Sequence, residues 1–267
     1  MSLYHLLILA LIQGLTEFLP VSSSAHLILF PALTGTTDQG LAVDVAVHVG
    51  TLGAVILYFR RDVARAFRGF LAVLRGRLHG ADSRLFLLLV AATVPVVVLG
   101  LLFKLTGLEE RMRSVTVIGW AMVVFGLLLW WVDRRFPERR RAEGWNLRDA
   151  VVMGLWQAVA LIPGTSRSGI TITAGRMLGY AREDAARLAM LMSIPTILAS
   201  GTLLGLDVVR SDNPLLWRET AIAAMLAFLA GFLALSLMMR LLRLVSFTPY
   251  ILYRLALGVA LLWIAYG

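Results

Sequence analysis

Two short stretches of this chain hold groups that could do chemistry, and both lie in otherwise apolar surroundings. The first runs Gln13-Gly-Leu-Thr-Glu17-Phe-Leu-Pro20-Val-Ser22-Ser23-Ser24-Ala-His26. Gln13 and Glu17 are four residues apart, so a helix places them on one face. His26 lies beyond the serines, and a turn at Pro20 would bring it back toward Glu17. A hydroxyl beside a base, with the base oriented by an acid, is the general arrangement of an activated nucleophile. The plainer alternative is that the serines cap the helix after Pro20 and His26 is satisfied at the interface. Glu17 favours chemistry, because a charge at bilayer depth costs about 2.5–3.5 kcal/mol on insertion scales and is as a rule paired and functional.

The second stretch is Pro163-Gly164-Thr165-Ser166-Arg167-Ser168-Gly169-Ile-Thr171. Gly164 and Gly169 permit tight turns, while Ser166, Ser168 and Thr171 supply hydroxyls. A helix starting here aims its first N–H groups into the break, and with Arg167 they form a cradle suited to phosphate. The Gly-Lys-Ser/Thr ending of a Walker loop is missing. Arg167 could instead lock onto Glu17 as a structural pair, which is compatible with phosphate binding if the lock holds while the site is empty. Asp44 and His48, also four apart, could face the same cavity and help hold a metal or a proton, or Asp44 could sit in headgroup water. His5 and His79 carry no such context.

The elements that must position these groups are membrane helices. Of 267 residues, 59% are hydrophobic and 15% charged, against about 25% charged in soluble domains. The fold class expected is an all-α polytopic membrane protein, one integral membrane domain over residues 1–267. The net charge of +9 is almost wholly arginine, in short loops between apolar runs. That placement reads as topology signal and lipid-headgroup contact, not nucleic-acid binding. With no cysteine, disulfides, thiolate metal sites and cysteine nucleophiles are excluded. The N-terminus has neither a basic n-region nor a small-residue cleavage site, so no removable signal peptide is expected.

Leu3–Leu19 and Leu27–Leu33 are each short for a span, and the polar backbone between them predicts a re-entrant hairpin buried in protein. Full spans are expected at Leu41–Phe59, Leu85–Phe103 and Val115–Val132. A second hairpin, Ala150–Ile162 and Gly169–Leu178 with Asp149 as N-cap, precedes spans at Ala185–Leu206, Thr220–Met239 and Tyr250–Tyr266. Tyr253, Trp263 and Tyr266 suit interface anchors. The arginine-rich segments 60–84 and 134–141 are expected as cytoplasmic loops, and the charge-balanced segments 104–113 and 207–219 outside. A hairpin plus three spans is an odd number of crossings, so the second half (residues 149–267) must be an inverted copy of the first (1–132), with a polar site near the midplane.

The motifs Gln13-x-x-x-Glu17-Phe-Leu-Pro-Val-Ser-Ser-Ser-x-His26 and Pro163-Gly-x-Ser-Arg-Ser-Gly-x-Thr171 closely resemble those of the bacterial undecaprenyl-pyrophosphate phosphatase family, linked to bacitracin resistance. The similarity spans essentially the whole chain. It implies removal of the terminal phosphate of undecaprenyl pyrophosphate at the outer face of the bacterial cytoplasmic (inner) membrane, regenerating the lipid carrier for peptidoglycan and other envelope polymers. It makes Glu17 an essential acid, Ser23 the favoured nucleophile with His26 as proton carrier or rival nucleophile, and Arg167 the pyrophosphate clamp. Gln13, Ser22, Gly164, Ser166, Ser168 and Thr171 then line the substrate. Gln13 stands where many members have Glu, which weakens a scheme with two glutamates on a divalent metal, Mg²⁺ or Ca²⁺; Asp44 is the alternative second carboxylate beside Glu17. A homodimer is compatible with this reading. A competing class is a transporter or flippase of polyprenyl phosphate, since opposed broken helices also build transporters.

Overall fold

The computed structural model describes residues 3–35, 40–209 and 214–267, and among them all regular structure is helical. The first hairpin is α1 (Leu3–Thr16) and α2 (Ser23–Thr34), followed by α3 (Gly40–Tyr58), α4 (Arg60–Leu74), α5 (Ala81–Thr106), the single-turn α6 (Leu108–Arg111) and α7 (Val115–Arg135). The second hairpin is α8 (Leu147–Ala158), extended by a 3₁₀ turn over Val159–Leu161, and α9 (Arg167–Met177). Then come α10 (Arg182–Val209), α11 (Pro214–Leu241) and α12 (Thr248–Tyr266). Five of these, α5, α7, α10, α11 and α12, are long and apolar enough to cross a membrane, and α3 with α4 makes a sixth candidate bent by 94°. The protein is an all-α, multi-pass membrane protein.

Outward-facing Val94, Val98, Leu102 and Leu105 on α5, and Leu229, Leu233 and Leu237 on α11, present an apolar surface to lipid. Inside, helices approach closely through small residues, as van der Waals packing in a membrane requires. A Cβ built on Gly14 of α1 would stand 2.5 Å from the Ala230 Cβ of α11, and one on Gly154 of α8 would stand 2.4 Å from the Ala92 carbonyl of α5. The first hairpin therefore leans on α11 and the second on α5, while α7 pairs with α12 and α3 with α10.

The two hairpins start against different neighbours. The start of α1, through Leu6, Leu9 and Ala10, packs on Val43 and Val47 of α3 and on Ala223 and Ala227 of α11. The start of α8 lies at the arginine-rich end, where Arg84 Nη2 donates to the Trp145 carbonyl at 3.0 Å. Arginines here are matched by acids: Arg187 bonds Asp62 at 2.7 and 2.9 Å, and Arg243 bonds Glu183 at 2.9 Å. Buried Arg176 holds Asp133 at 3.1 Å.

The segment expected as a basic loop after residue 59 is instead helix α4, which turns Asp62 and Gly69 inward and Arg60, Arg61, Phe67 and Arg68 outward. Its alternation of arginine with apolar residues is that of a helix lying along the interface. The N-cap of α8 is Asn146, whose side chain accepts from Asp149 N at 3.0 Å, not Asp149 itself, which sits in the first turn. The expected outer segment 207–219 lies in part, and the polar stretch 36–38 after the first hairpin wholly, outside the described residues.

Candidate active site

Both hairpins break just before a half-helix, and they break alike. Ser22 precedes α2 with φ 73° and Ser166 precedes α9 with φ 69°; among the described residues no other non-glycine has positive φ. Left-handed backbone costs a side-chain-bearing residue about 1–2 kcal/mol, so surrounding contacts must enforce it, as at many functional turns. In each break the strained serine pairs with the serine two residues on: Ser22 Oγ lies 3.3 Å from Ser24 Oγ, and Ser166 Oγ 3.1 Å from Ser168 Oγ. The tips touch each other, since Ser168 Oγ donates to the Leu19 carbonyl at 2.9 Å.

Glu17 sits where the tips meet and is buried. Its Oε1 accepts from Arg167 Nη2 at 2.6 Å, and its Oε2 accepts from Ser23 Oγ at 2.6 Å and from Gln13 Nε2 at 2.9 Å. Ser23 and Arg167 are the first residues of α2 and α9, so two helix N-termini, each bearing a partial positive charge, converge beside the carboxylate. The arrangement has a hydroxyl, a carboxylate in hydrogen-bond reach of it, and a cation on that carboxylate's other oxygen. It suits attack by a hydroxyl on an anionic group.

The remaining sequence candidates take different places. His26 does not reach Ser23 or Glu17; its Nδ1 lies 2.7 Å from the Ser22 carbonyl and its Nε2 2.6 Å from the Tyr253 hydroxyl. Thr171 Oγ1 donates to the Arg167 carbonyl at 2.8 Å, and Ser166 Oγ caps α9 by accepting from Gly169 N at 3.1 Å. These hydroxyls shape the tip on which Arg167 stands. Gly164 takes the tight turn with φ 91°, whereas Gly169 lies inside α9, where a Cβ would come within 2.9 Å of Arg254 Nη1.

Arg254 is the residue that the sequence reading passes over. It is fully buried on α12 and donates to the carbonyls of Pro20, Gly164 and Thr165 at 3.4, 3.1 and 2.8 Å, tying both tips to one guanidinium. The signal was available: it is the one charged residue in the run Tyr250–Tyr266, and an ionisable group there is a functional candidate. Tyr253, expected as an interface anchor, faces His26 instead.

Beside the tips lies a cavity of about 430 Å³, lined by Ser24 of α2, Asp44 and His48 of α3 and Pro163, with Lys104 and Arg113 also on its wall. Val96, Val97, Leu101 and Leu161 give it apolar sides. His48 Nδ1 is 2.7 Å from the Asp44 carbonyl and so carries its hydrogen, leaving the Nε2 lone pair 3.9 Å from Glu17 Oε2. Two acceptors facing each other at that distance suit a shared cation, and Gln13 Oε1 close by is buried without a hydrogen-bond partner. Among the described residues no three His, Asp or Glu side chains gather tightly enough to hold a metal by themselves. A divalent cation would therefore draw on Gln13, Glu17, His48 and the substrate's own oxygens.

Comparison with known proteins places the chain in a family. The chain is 62% identical to the "Undecaprenyl-diphosphatase" of Ruegeria pomeroyi and 62% identical to that of Dinoroseobacter shibae, each over 267 residues and the full length of both chains. It is 48% identical to the "Undecaprenyl-diphosphatase 2" of Stutzerimonas stutzeri over 98% of each chain. Residues 6–260 match the family described as "Bacitracin resistance protein BacA", and the chain belongs to that family.

Proposed function

We infer that the protein is an undecaprenyl-diphosphatase, which hydrolyses undecaprenyl pyrophosphate to undecaprenyl phosphate and inorganic phosphate. The observation that carries this is the Ser23–Glu17–Arg167 cluster between two half-helix N-termini, beside a cavity with polar and apolar walls. A pyrophosphate needs the cations, a prenyl chain needs the apolar sides and the bilayer, and phosphoryl transfer needs chiefly positioning and charge stabilisation. The transport reading gains nothing from the relatives named above, each of which bears a phosphatase's name.

In the mechanism this geometry supports, Ser23 Oγ attacks the terminal phosphorus while its proton passes to Glu17 Oε2, already 2.6 Å away. The bond from phosphorus to the bridging oxygen breaks, and undecaprenyl phosphate leaves with the electron pair. Water then cleaves the phosphoserine, Ser23 recovers its proton and phosphate departs. Arg167 turns from Glu17 to the phosphoryl oxygens. Ser23 is favoured over His26 as nucleophile because both ring nitrogens of His26 already have partners. Mg²⁺ or Ca²⁺, when bound, would neutralise phosphate charge next to Glu17 and Gln13.

The arginine-rich end suits the cytoplasmic side. The cavity, with Lys104 near the far end of α5, then opens toward the outer face of the cytoplasmic membrane, where the reaction regenerates the carrier for envelope polymers. The two hairpins read as an inverted repeat: Gln13, Ser22 and Ser24 recur at one constant spacing as Gln157, Ser166 and Ser168. Every site residue comes from one copy of the chain, so the reading requires no dimer.

The test is phosphate release from undecaprenyl pyrophosphate by detergent-purified protein, which needs no membrane sidedness. Release by the wild type, lost in Ser23→Ala and Arg167→Ala, is expected. A folded wild type that releases nothing would overturn the enzyme reading, and a phosphate adduct trapped on His26 instead of Ser23 would overturn the serine mechanism.

A further inference from the structure

A diphosphate brings two phosphates, while the cluster at the hairpin tips supplies one guanidinium, Arg167, bonded to Glu17. The cavity beside the tips carries two more cations on its wall, Lys104 and Arg113. Both are exposed, and among the described residues no hydrogen bond or ion pair occupies either side chain.

The fold sets both near the second tip. Gly100 of α5 faces Leu161, two residues before the tip's Pro163, and a Cβ on it would stand 3.5 Å from Leu161 Cδ2. Lys104 is four residues further along α5, on the same face and about 6 Å on. On α7, the Ile118 carbonyl packs against the tip itself, where a Cβ on Gly164 would come within 2.6 Å of it. Arg113 directly precedes Ser114, the N-cap of α7, whose carbonyl accepts from Ile118 N at 3.0 Å. Each cation therefore stands roughly one helical turn from a residue that touches the second hairpin.

The α5 wall is also open to lipid. Val97 and Leu101 line the cavity yet remain 39% and 48% exposed, and they share a face with Lys104. An apolar stripe that ends in a cation matches an amphiphile whose tail lies in the bilayer and whose phosphate terminates the tail.

We propose that Lys104 and Arg113 form a second anion subsite, which holds the prenyl-linked phosphate while Arg167 takes the terminal one; this rests on the phosphatase reading above. Lys104 offers a point charge with three rotatable donors and Arg113 a planar fork, so the oxygens of one phosphate can take both. The subsite recognises what substrate and lipid product have in common, a phosphate ester at the end of a prenyl chain. Inorganic phosphate, the other product, belongs to the Arg167 side.

The test uses the full chain in phospholipid-free detergent with undecaprenyl pyrophosphate, and compares wild type with Lys104→Gln, Arg113→Gln and Lys104→Arg. Each glutamine variant should lose on the order of 10-fold in kcat/KM, the worth of one hydrogen bond to a charged group. The inhibition constant of added undecaprenyl phosphate should rise by a similar factor, and that of inorganic phosphate should not move. Lys104→Arg keeps the charge and should recover most of the loss. Unchanged constants in both glutamine variants would overturn the subsite, since a role confined to anchoring in lipid headgroups predicts no change where phospholipid is absent. Equal weakening of both inhibitors would also overturn it, because general damage to the site gives that result. Failure of the wild type to release phosphate would instead strike the functional reading.

Discussion

Ser23 and Arg167 hold opposite oxygens of the same carboxylate, each from the first residue of its half-helix and each at 2.6 Å from Glu17. The carboxylate's charge is thereby matched by the guanidinium, and one acid holds both the hydroxyl and the cation. In the proposed mechanism, arriving pyrophosphate replaces Glu17 as the partner of Arg167, which frees Oε1 while Oε2 keeps Ser23. On that proposal the lock and the clamp are one residue at two stages.

Glu17→Gln keeps the shape and removes both the base and the counter-charge. Its kcat should fall by about 10²–10⁴-fold, the range of a lost general base. Arg167→Lys should also lose most activity, because a point charge does not replace a planar fork that spans Glu17 and phosphate. Steady-state phosphate release by the purified variants reads both. A Glu17→Gln protein with near-wild-type kcat would show that Ser23 loses its proton elsewhere.

Gln13 tests the cation. Its amide nitrogen is used by Glu17, yet its Oε1 is buried without a partner and lies on the side chain next to the carboxylate. If that oxygen serves a divalent ion, Gln13→Glu should lower the Mg²⁺ or Ca²⁺ concentration giving half-maximal activity, and Gln13→Met should raise it. Chelator should abolish activity in all three proteins, reversibly. Equal metal dependence in the three would remove Gln13 from the ligand set.

The broad layout was legible because it follows from the bilayer. Runs such as Leu85–Phe103 and Val115–Val132 must be spanning helices, and polar breaks at Ser22–Ser24 and Gly164–Ser168 survive only where protein covers them. The pairing of Glu17 with Arg167 was likewise readable as charge seeking charge. What stayed hidden depends on tertiary placement. Arginines at 60–77 look like a loop to a charge count, although Asp62 and Gly69 are buried against Arg187 and the Asp82 carbonyl. The partner of His26 comes from a residue in the last helix, which no local spacing predicts. Arg254 announced itself by type but not by target, because its partners are backbone carbonyls.

At the arginine-rich end, Tyr180 joins α9 to α10 and is fully buried, its hydroxyl donating to Asp149 Oδ2 at 2.6 Å while the Arg140 guanidinium lies 4.5 Å from its ring centre. Burial, then the hydrogen bond and the negative charge of Asp149, push the phenol well above its ordinary value. The folded state thus favours the neutral phenol. Its stabilisation is complete below about pH 10, the ordinary tyrosine value, and is lost as pH rises above it, by up to about 1.4 kcal/mol per pH unit. Thermal unfolding in detergent between pH 8 and 11 should show this decline. Tyr180→Phe should be less stable at pH 8, by about 1.5–3 kcal/mol at most for a lost hydrogen bond to a charged group, since Asp149 Oδ2 keeps Arg140 and Asn146, but flatter across the alkaline range. Parallel slopes would clear Tyr180 of the effect.

Arg254 decides whether the tips are held together or merely rest together. Its guanidinium reaches one carbonyl of the first hairpin and two of the second from a helix that belongs to neither. Among the described residues no carboxylate bonds it, and carbonyl dipoles face its charge. Arg254→Met fills much of the volume but leaves three buried carbonyls without their donor. The expected cost is about 1.5–3 kcal/mol for each charged hydrogen bond at most, and less in sum because such bonds are not additive. Since Glu17 and Arg167 stand on the two separate tips, loosening them should reduce kcat beyond what the stability loss explains. Thermal unfolding and phosphate release, measured on the same preparation well below its melting temperature, separate the two effects. A variant that melts earlier but turns over like the wild type would make Arg254 a brace for the fold alone. Unchanged melting with lost turnover would place it in contact with the reacting groups.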